Sequence, residues 1–273
     1  MQSPLRHGKA AIGTTLATGA LAAISQAPER ASRLLRNRYP TVAVTGMTGV
    51  GKTRLADRLA RRASAESGGP DTPEVGSAVM ERRTRRSARM RGYRFRVVPG
   101  ENAATRLGAL DEVFHDEPVD GVLHVVAHGH ATPRRRGGTS GAAAASRQDQ
   151  LAAELEDWSI TAHRIASMAV RRERPTWLVI AVTKADLFAD DIDAAVHYYS
   201  PGSGSAFGDK LDELRALAGG AKLSIDVLPV CAQGRGKQGG GTRSTAGSRL
   251  PEKACTDLLG RLELRMAQLS GHV

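Results

Sequence analysis

The stretch GMTGVGKT, Gly46 to Thr53, constrains this chain more than any other part of its sequence. It fits G-x-x-x-x-G-K-[S/T] without a mismatch. Just before it lies TVAVT (Thr41 to Thr45), a β-branched run that reads as a buried strand. Just after it, RLADRLARRA sets Leu55, Ala56, Leu59, Ala60 and Ala63 on one side and Arg54, Arg58, Arg61 and Arg62 on the other, the pattern of an amphipathic helix. That strand–turn–helix context separates a phosphate-gripping loop from a chance glycine-rich turn. Gly46, Gly49 and Gly51 let the backbone curl, so that the N–H groups from Met47 through Val50 to Lys52 face phosphate oxygens. The helix beginning near Lys52 adds its positive end. Lys52 would reach the β- and γ-phosphates, and the Thr53 hydroxyl would take a place on Mg²⁺.

The rest of the chain reads as strands alternating with helices. YRFRVV (Tyr93 to Val98) alternates, with Tyr93, Phe95 and Val97 on one face and Arg94 and Arg96 on the other. GVLHVVA (Gly121 to Ala127), WLVIAV (Trp177 to Val182) and LSIDVLPV (Leu223 to Val230) are apolar on nearly every residue, as strands covered on both faces must be. Helical spacing of Leu151, Leu155, Trp158, Ala162, Ile165 and Ala169 predicts a helix over about 151–173, and further helices are expected over about 209–218 and 252–269. Such alternation predicts an α/β fold, a mainly parallel sheet with helices on both faces. A single such domain is expected over 39–273, preceded by a helical extension over 1–38.

A second motif, TKAD (Thr183 to Asp186), follows WLVIAV directly. With the phosphate loop, it makes the chain resemble the translation-factor class of P-loop GTPases, the Ras-like and Era-like G domains, whose guanine motif is Asn/Thr-Lys-x-Asp. The resemblance implies that Asp186 accepts hydrogen bonds from the guanine N1–H and exocyclic amine, which adenine does not offer, and a carboxylate left unpaired by the wrong base discriminates strongly. It implies that Lys184 lies along the base and helps to hold the phosphate loop, with Thr183 standing where Asn is commoner. It also places the turn PVCAQ (Pro229 to Gln233) at a third guanine contact, where the family has a Ser-Ala-Lys-like turn; of Cys231, Ala232 and Gln233 only Ala232 agrees, and the backbone N–H there would meet guanine O6. The competing local reading of TKAD is a helix opening with Asp186 as its cap. The implied ligands are GTP and GDP with Mg²⁺.

Two family features are eroded. The third strand ends VVPGEN, so Val97 occupies the place of an aspartate that supports Mg²⁺, while Pro99 and Gly100 fit. Glu101 stands where a glutamine often positions the attacking water, and Thr72 and Thr84 are equal candidates for the switch threonine. Phosphoryl transfer depends on positioning and charge stabilisation. With Lys52 and Glu101 as the catalytic candidates, binding is therefore expected to outlast turnover. This leaves three readings: a slow GTPase switch, a nucleotide-binding scaffold without useful turnover, and a P-loop ATPase.

The net charge of +11 favours anionic partners. ERRTRRSARMRGYRFR (Glu81 to Arg96) concentrates eight arginines near the expected switch region. The run from Arg82 to Arg96 reads either as a solvated face or as a dock for RNA, acidic lipid or an acidic partner. A protein effector or a second copy of the chain is the other expected partner. HVVAHGH brings His124, His128 and His130 to one face if the strand stays extended, and packing histidines outweigh a metal site because no Cys or acidic cluster accompanies them. AAIGTTLATGALAAISQAP (Ala10 to Pro28) is uncharged but poor in Leu, Ile and Phe, which favours a packed or membrane-surface helix over a span. Cys231 and Cys255 match no ligand or redox spacing, which points to a reducing, cytoplasmic setting.

Overall fold

The structure, a computed structural model, describes residues 39–64, 79–83, 92–100, 103–132, 145–232 and 249–271. The expected N-terminal extension, Glu101, Thr72, Thr84, Gln233 and the arginines between 84 and 91 lie outside the described residues.

Six strands form one sheet in the order β2-β3-β1-β4-β5-β6. They are β1 (Thr41–Thr45), β2 (Met80–Arg83), β3 (Arg94–Val97), β4 (Gly121–Val126), β5 (Thr176–Val182) and β6 (Leu223–Pro229). All neighbours pair in parallel except β2, which runs antiparallel to β3 at the edge. The helices are α1 (Lys52–Ser64), α2 (Ala103–Asp111), α3 (Arg147–Arg171), α4 (Ile192–Tyr198), α5 (Ala206–Ala218) and α6 (Glu252–Leu269). A π-helical turn, Glu112–Asp116, prolongs α2.

Alternation along each strand assigns residues to two cores. Ala43, Val122, Val126, Leu178, Ile180 and Val182 face the side covered by α2, α3, α4 and α5. Val42, Val44, Leu123, Val125, Val179 and Ala181 face α1 and α6. With helices on both faces, the fold is the α/β architecture expected from the alternation of elements.

Three features differ from the sequence reading. Strand β2, MERR, lacks the apolar alternation of a strand, and it forms because its backbone completes the edge of β3. On β3, Tyr93, Phe95 and Val97 do face one core, but Arg96 on the opposite face is 2% exposed and held by Glu112 and Glu117. Arg94 likewise pairs with Glu81, and Arg82 with Asp57 at 2.6 Å. Arg82, Arg94 and Arg96 of the basic run are thus paired within the chain. Finally, α3 turns Glu154, Asp157, Trp158, Thr161 and Ile165 inward, while Leu151, Leu155 and Ala162 only flank the core. The inward stripe carries two acids because α3 crosses the C-terminal end of β4, where the backbone and Arg106 offer partners.

Candidate nucleotide-binding site

The segments that carry the motifs all follow the C-terminal ends of β3, β1, β4, β5 and β6, which are parallel to one another. This is the edge where open α/β sheets bind ligands.

The phosphate loop bends from β1 into α1 through three glycines at positive φ, Gly46 (+126°), Gly49 (+83°) and Gly51 (+102°). A side chain at Gly46 would run into the carbonyl oxygen of Val125, and one at Gly49 into that of Thr132. At Gly51 the same direction is open space. Gly46 and Gly49 therefore allow neighbouring backbone to close in, whereas Gly51 satisfies the turn itself. Lys52 is buried and donates from Nζ to the carbonyls of Gly46 (2.6 Å) and Met47 (2.9 Å). From β3, Gly100 comes to the same point. A Cβ on Gly100 would lie 2.6 Å from Lys52 Nζ and 2.8 Å from both the amide nitrogen and Oγ1 of Thr48. The fold thus brings the surviving Pro-Gly of the eroded third motif against the tip of the loop lysine.

After β5, TKAD is built into the loop from outside. The Thr183 hydroxyl lies 2.6 Å from the Val50 carbonyl and 2.9 Å from that of Val126, so its single proton ties the phosphate loop to β4. Lys184 adopts a left-handed backbone (φ +58°) and spends its ammonium protons on Gly49 O (2.9 Å), His130 O (2.5 Å) and Thr132 Oγ1 (2.7 Å). Burial lowers the pKa of Lys184, against the pull of the Glu154 and Asp186 carboxylates. Asp186 is 1% exposed; its Oδ1 receives the Cys231 thiol at 3.3 Å, and its Oδ2 has no hydrogen-bond partner among the described residues. A buried, unsatisfied carboxylate oxygen is costly, so its retention needs an explanation. Asp186 is no helix cap of the ordinary kind, because it sits inside the 3₁₀ turn Ala185–Leu187. Ala232 follows Cys231 directly, at the end of β6.

The histidines part company. Strand β4 ends at Val126, and Ala127–His130 forms a turn closed by His130 N–H to Ala127 O (2.9 Å), with His128 and Gly129 both at positive φ. That mirror-image turn breaks the extended geometry that would align the three rings. His124 is buried, with Nδ1 at 2.9 Å from Thr45 Oγ1 and its ring edge-on to Trp158, and burial lowers its pKa to about 3. His128 packs among Phe188, Tyr198 and Tyr199, and His130 stacks on Phe188. Among the described residues no group of His, Cys, Asp or Glu side chains is arranged to hold a metal ion.

For Mg²⁺, Thr53 stands at the start of α1, but Val97 is packed in the same apolar cluster as Val44, Val50 and Leu55, so no carboxylate supports a metal from β3. Sequence reasoning missed Glu154, Tyr199, Thr132 and the Cys231–Asp186 contact. Only Glu154 left a signal, an acid one helical turn before Trp158 on what should be an apolar stripe.

No protein-family profile matches the chain, and no curated protein matches it. Among solved structures, the signal recognition particle receptor SRb–GDP from Chaetomium thermophilum is similar at 15% identity and a TM-score of 0.43, over 73% of this chain and 92% of that one. The SRb–GTP/SRX complex from the same organism gives 14%, 0.41, 72% and 95%. A mutation variant of SsGBP gives 14% and 0.37, over 94% of this chain and 65% of that one.

Proposed function

We propose that the chain binds guanine nucleotides, GTP and GDP, and acts as a slow GTPase switch. The observation that carries this reading is Asp186, buried with one oxygen steadied by a thiol and the other unpaired, beside a lysine and a threonine that both hold the phosphate loop. Guanine offers two donors, N1–H and its exocyclic amine, to such a carboxylate; adenine offers an unprotonated N1 at that place and leaves the acid unpaired. The backbone N–H of Ala232 would meet the guanine O6. The N–H groups of Met47 through Thr53 would cradle the phosphates, with Lys52 turning from its own loop carbonyls toward the β- and γ-phosphates. A Mg²⁺ ion would be held by Thr53 with the nucleotide's phosphate oxygens, where it neutralises developing charge.

Turnover is proposed to be slow because two aids to hydrolysis are altered: Val97 replaces a carboxylate, and Glu101 replaces a water-orienting amide. The burial of Val97 also favours a second reading, a nucleotide-dependent scaffold with no useful hydrolysis. The partners proposed are a protein effector or a second copy of the chain, in a cytoplasmic setting, with residues 1–38 as a helical extension at a membrane surface. An anionic partner on the basic run would rely on arginines other than Arg82, Arg94 and Arg96, which are paired.

Competition of unlabelled GDP, GTP, ADP and ATP against a fluorescent guanine nucleotide, with Mg²⁺ present and chelated, tests the reading. Guanine nucleotides should win, and Asp186→Ala should cost about a hundredfold or more of that preference. Equal competition by adenine nucleotides would sink the guanine reading and leave a P-loop ATPase. Measured phosphate release then separates a slow GTPase from a scaffold.

A further inference from the structure

The turn between β4 and α3 is what Lys184 and the phosphate loop lean on. Lys184 donates to His130 O and Thr132 Oγ1, and Thr132 N–H donates to Gly49 O at 3.1 Å. Two side chains of α3 hold the turn: Arg147 Nε donates to His128 O at 3.3 Å, and Glu154 takes its amides. Glu154 of α3, 1% exposed, accepts from the N–H of Ala127 (2.9 Å) and Gly129 (3.5 Å) with Oε1, and from the Tyr199 hydroxyl with Oε2. Tyr199, at the end of α4, is itself fully buried against Phe207 and His128.

We propose that Glu154, steadied by Tyr199, is a positioning residue for the nucleotide site, acting through the Ala127–Thr132 turn on Gly49 and Lys184. It touches neither phosphate nor base. Its role follows from chain geometry: the turn has two left-handed residues in succession, His128 and Gly129, a conformation that an unanchored segment leaves readily. With the turn released, Lys184 loses two of its three acceptors and the Gly49 carbonyl loses one of its two donors. A buried carboxylate held by a hydroxyl and two amides is a strong anchor because each hydrogen bond to it is charge-assisted. The inference rests on the guanine-nucleotide reading for its consequence, but not for the anchor itself.

Two measurements on the full chain separate those parts. The first is hydrogen exchange at the Ala127–Thr132 amides in nucleotide-free protein. Exchange should speed up about tenfold in Glu154→Ala and less in Tyr199→Phe, because unpaired buried groups destabilise the closed turn. Glu154→Gln should fall between wild type and Glu154→Ala, since its amide oxygen still accepts from both N–H groups but without the charge. The second is the release rate of fluorescent GDP from the same proteins and from Thr132→Val. Release should follow the same order, and Glu154→Ala combined with Thr132→Val should fall short of the product of the single effects, the mark of one shared route. Unchanged exchange in Tyr199→Phe and Glu154→Ala overturns the anchor; Tyr199→Phe alone decides if Glu154→Ala fails to fold. Faster exchange with unchanged GDP release, or with fully independent effects of Glu154 and Thr132, overturns the positioning role. A wild-type protein that takes no GDP, with exchange altered as expected, removes the guanine reading and leaves the anchor standing.

Discussion

A single proton decides how Thr183 holds the site together. Its hydroxyl sits between the carbonyls of Val50 and Val126, in a place with almost no solvent. Thr183→Val keeps the shape and removes that proton, so Val50 O loses its donor. The expected cost is about 1 kcal/mol of stability, read by urea denaturation, with faster nucleotide release. Gly46 is stricter. At φ +126°, with the Val125 carbonyl where a Cβ would go, it tolerates no side chain. Gly46→Ala combines backbone strain with a clash against main chain, and about 3 kcal/mol or more of stability should go. A soluble Gly46→Ala protein with an unshifted urea midpoint would contradict this. Gly51→Ala meets no neighbouring atom, so only the strain of its φ, about 1–3 kcal/mol, should appear.

Elements pack by supplying space as well as surface. Gly121 opens β4 directly across from Trp177 on β5, and the indole lies where a Gly121 side chain would be. The missing side chain is what lets a tryptophan fit inside a parallel sheet, a recognised use of glycine within strands. Gly121→Ala must push the ring or the strands apart, and overpacking of this kind costs about 1–3 kcal/mol. The β4–β5 pair should weaken most, visible as faster amide exchange along both strands. Helix α3 shows the opposite device. Its buried stripe holds Glu154 and Asp157, and each acid has a specific partner, the β4 turn and Arg106 at 2.6 Å. The capping box of Ser146 and Asp149 starts the helix, and those two partners fix its rotation about its axis.

Across the whole molecule, opposing buried titrations flatten the response to acid. His124 has its pKa lowered to about 3 by burial, so between pH 6.5 and 3 the unfolded chain binds the extra proton and stability falls as pH falls. Asp157 has its pKa raised to about 6 by burial, against the pull of Arg106 and Lys52. Between its ordinary 3.8 and 6 the folded chain binds the extra proton, so this group's contribution improves as pH falls. From pH 6 to 4 the two oppose one another, while His128, whose pKa burial lowers to about 4, adds to the histidine side. Asp157→Asn should steepen the loss of stability below pH 6 by about 1.4 kcal/mol per pH unit, and His124→Gln should lessen it by a similar amount. Urea denaturation at several pH values checks both signs. Parallel slopes in wild type and both variants would show that neither group titrates on unfolding.

By itself the sequence determined the strands β1, β3, β4, β5 and β6, the sheet class, the phosphate loop and the position of TKAD. The reason is that apolar runs and glycine spacing are local signals, read within one element. Tertiary structure alone decided the rest. Strand β2 exists only because β3 offers it an unpaired edge, and the three histidines separate because a mirror-image turn follows Val126. Gly100 meets Lys52, Cys231 meets Asp186, and Glu154 meets Ala127 across 48, 45 and 27 residues of sequence, all at one edge of the sheet. No periodicity records such meetings, since what selects them is the order in which strands stand side by side.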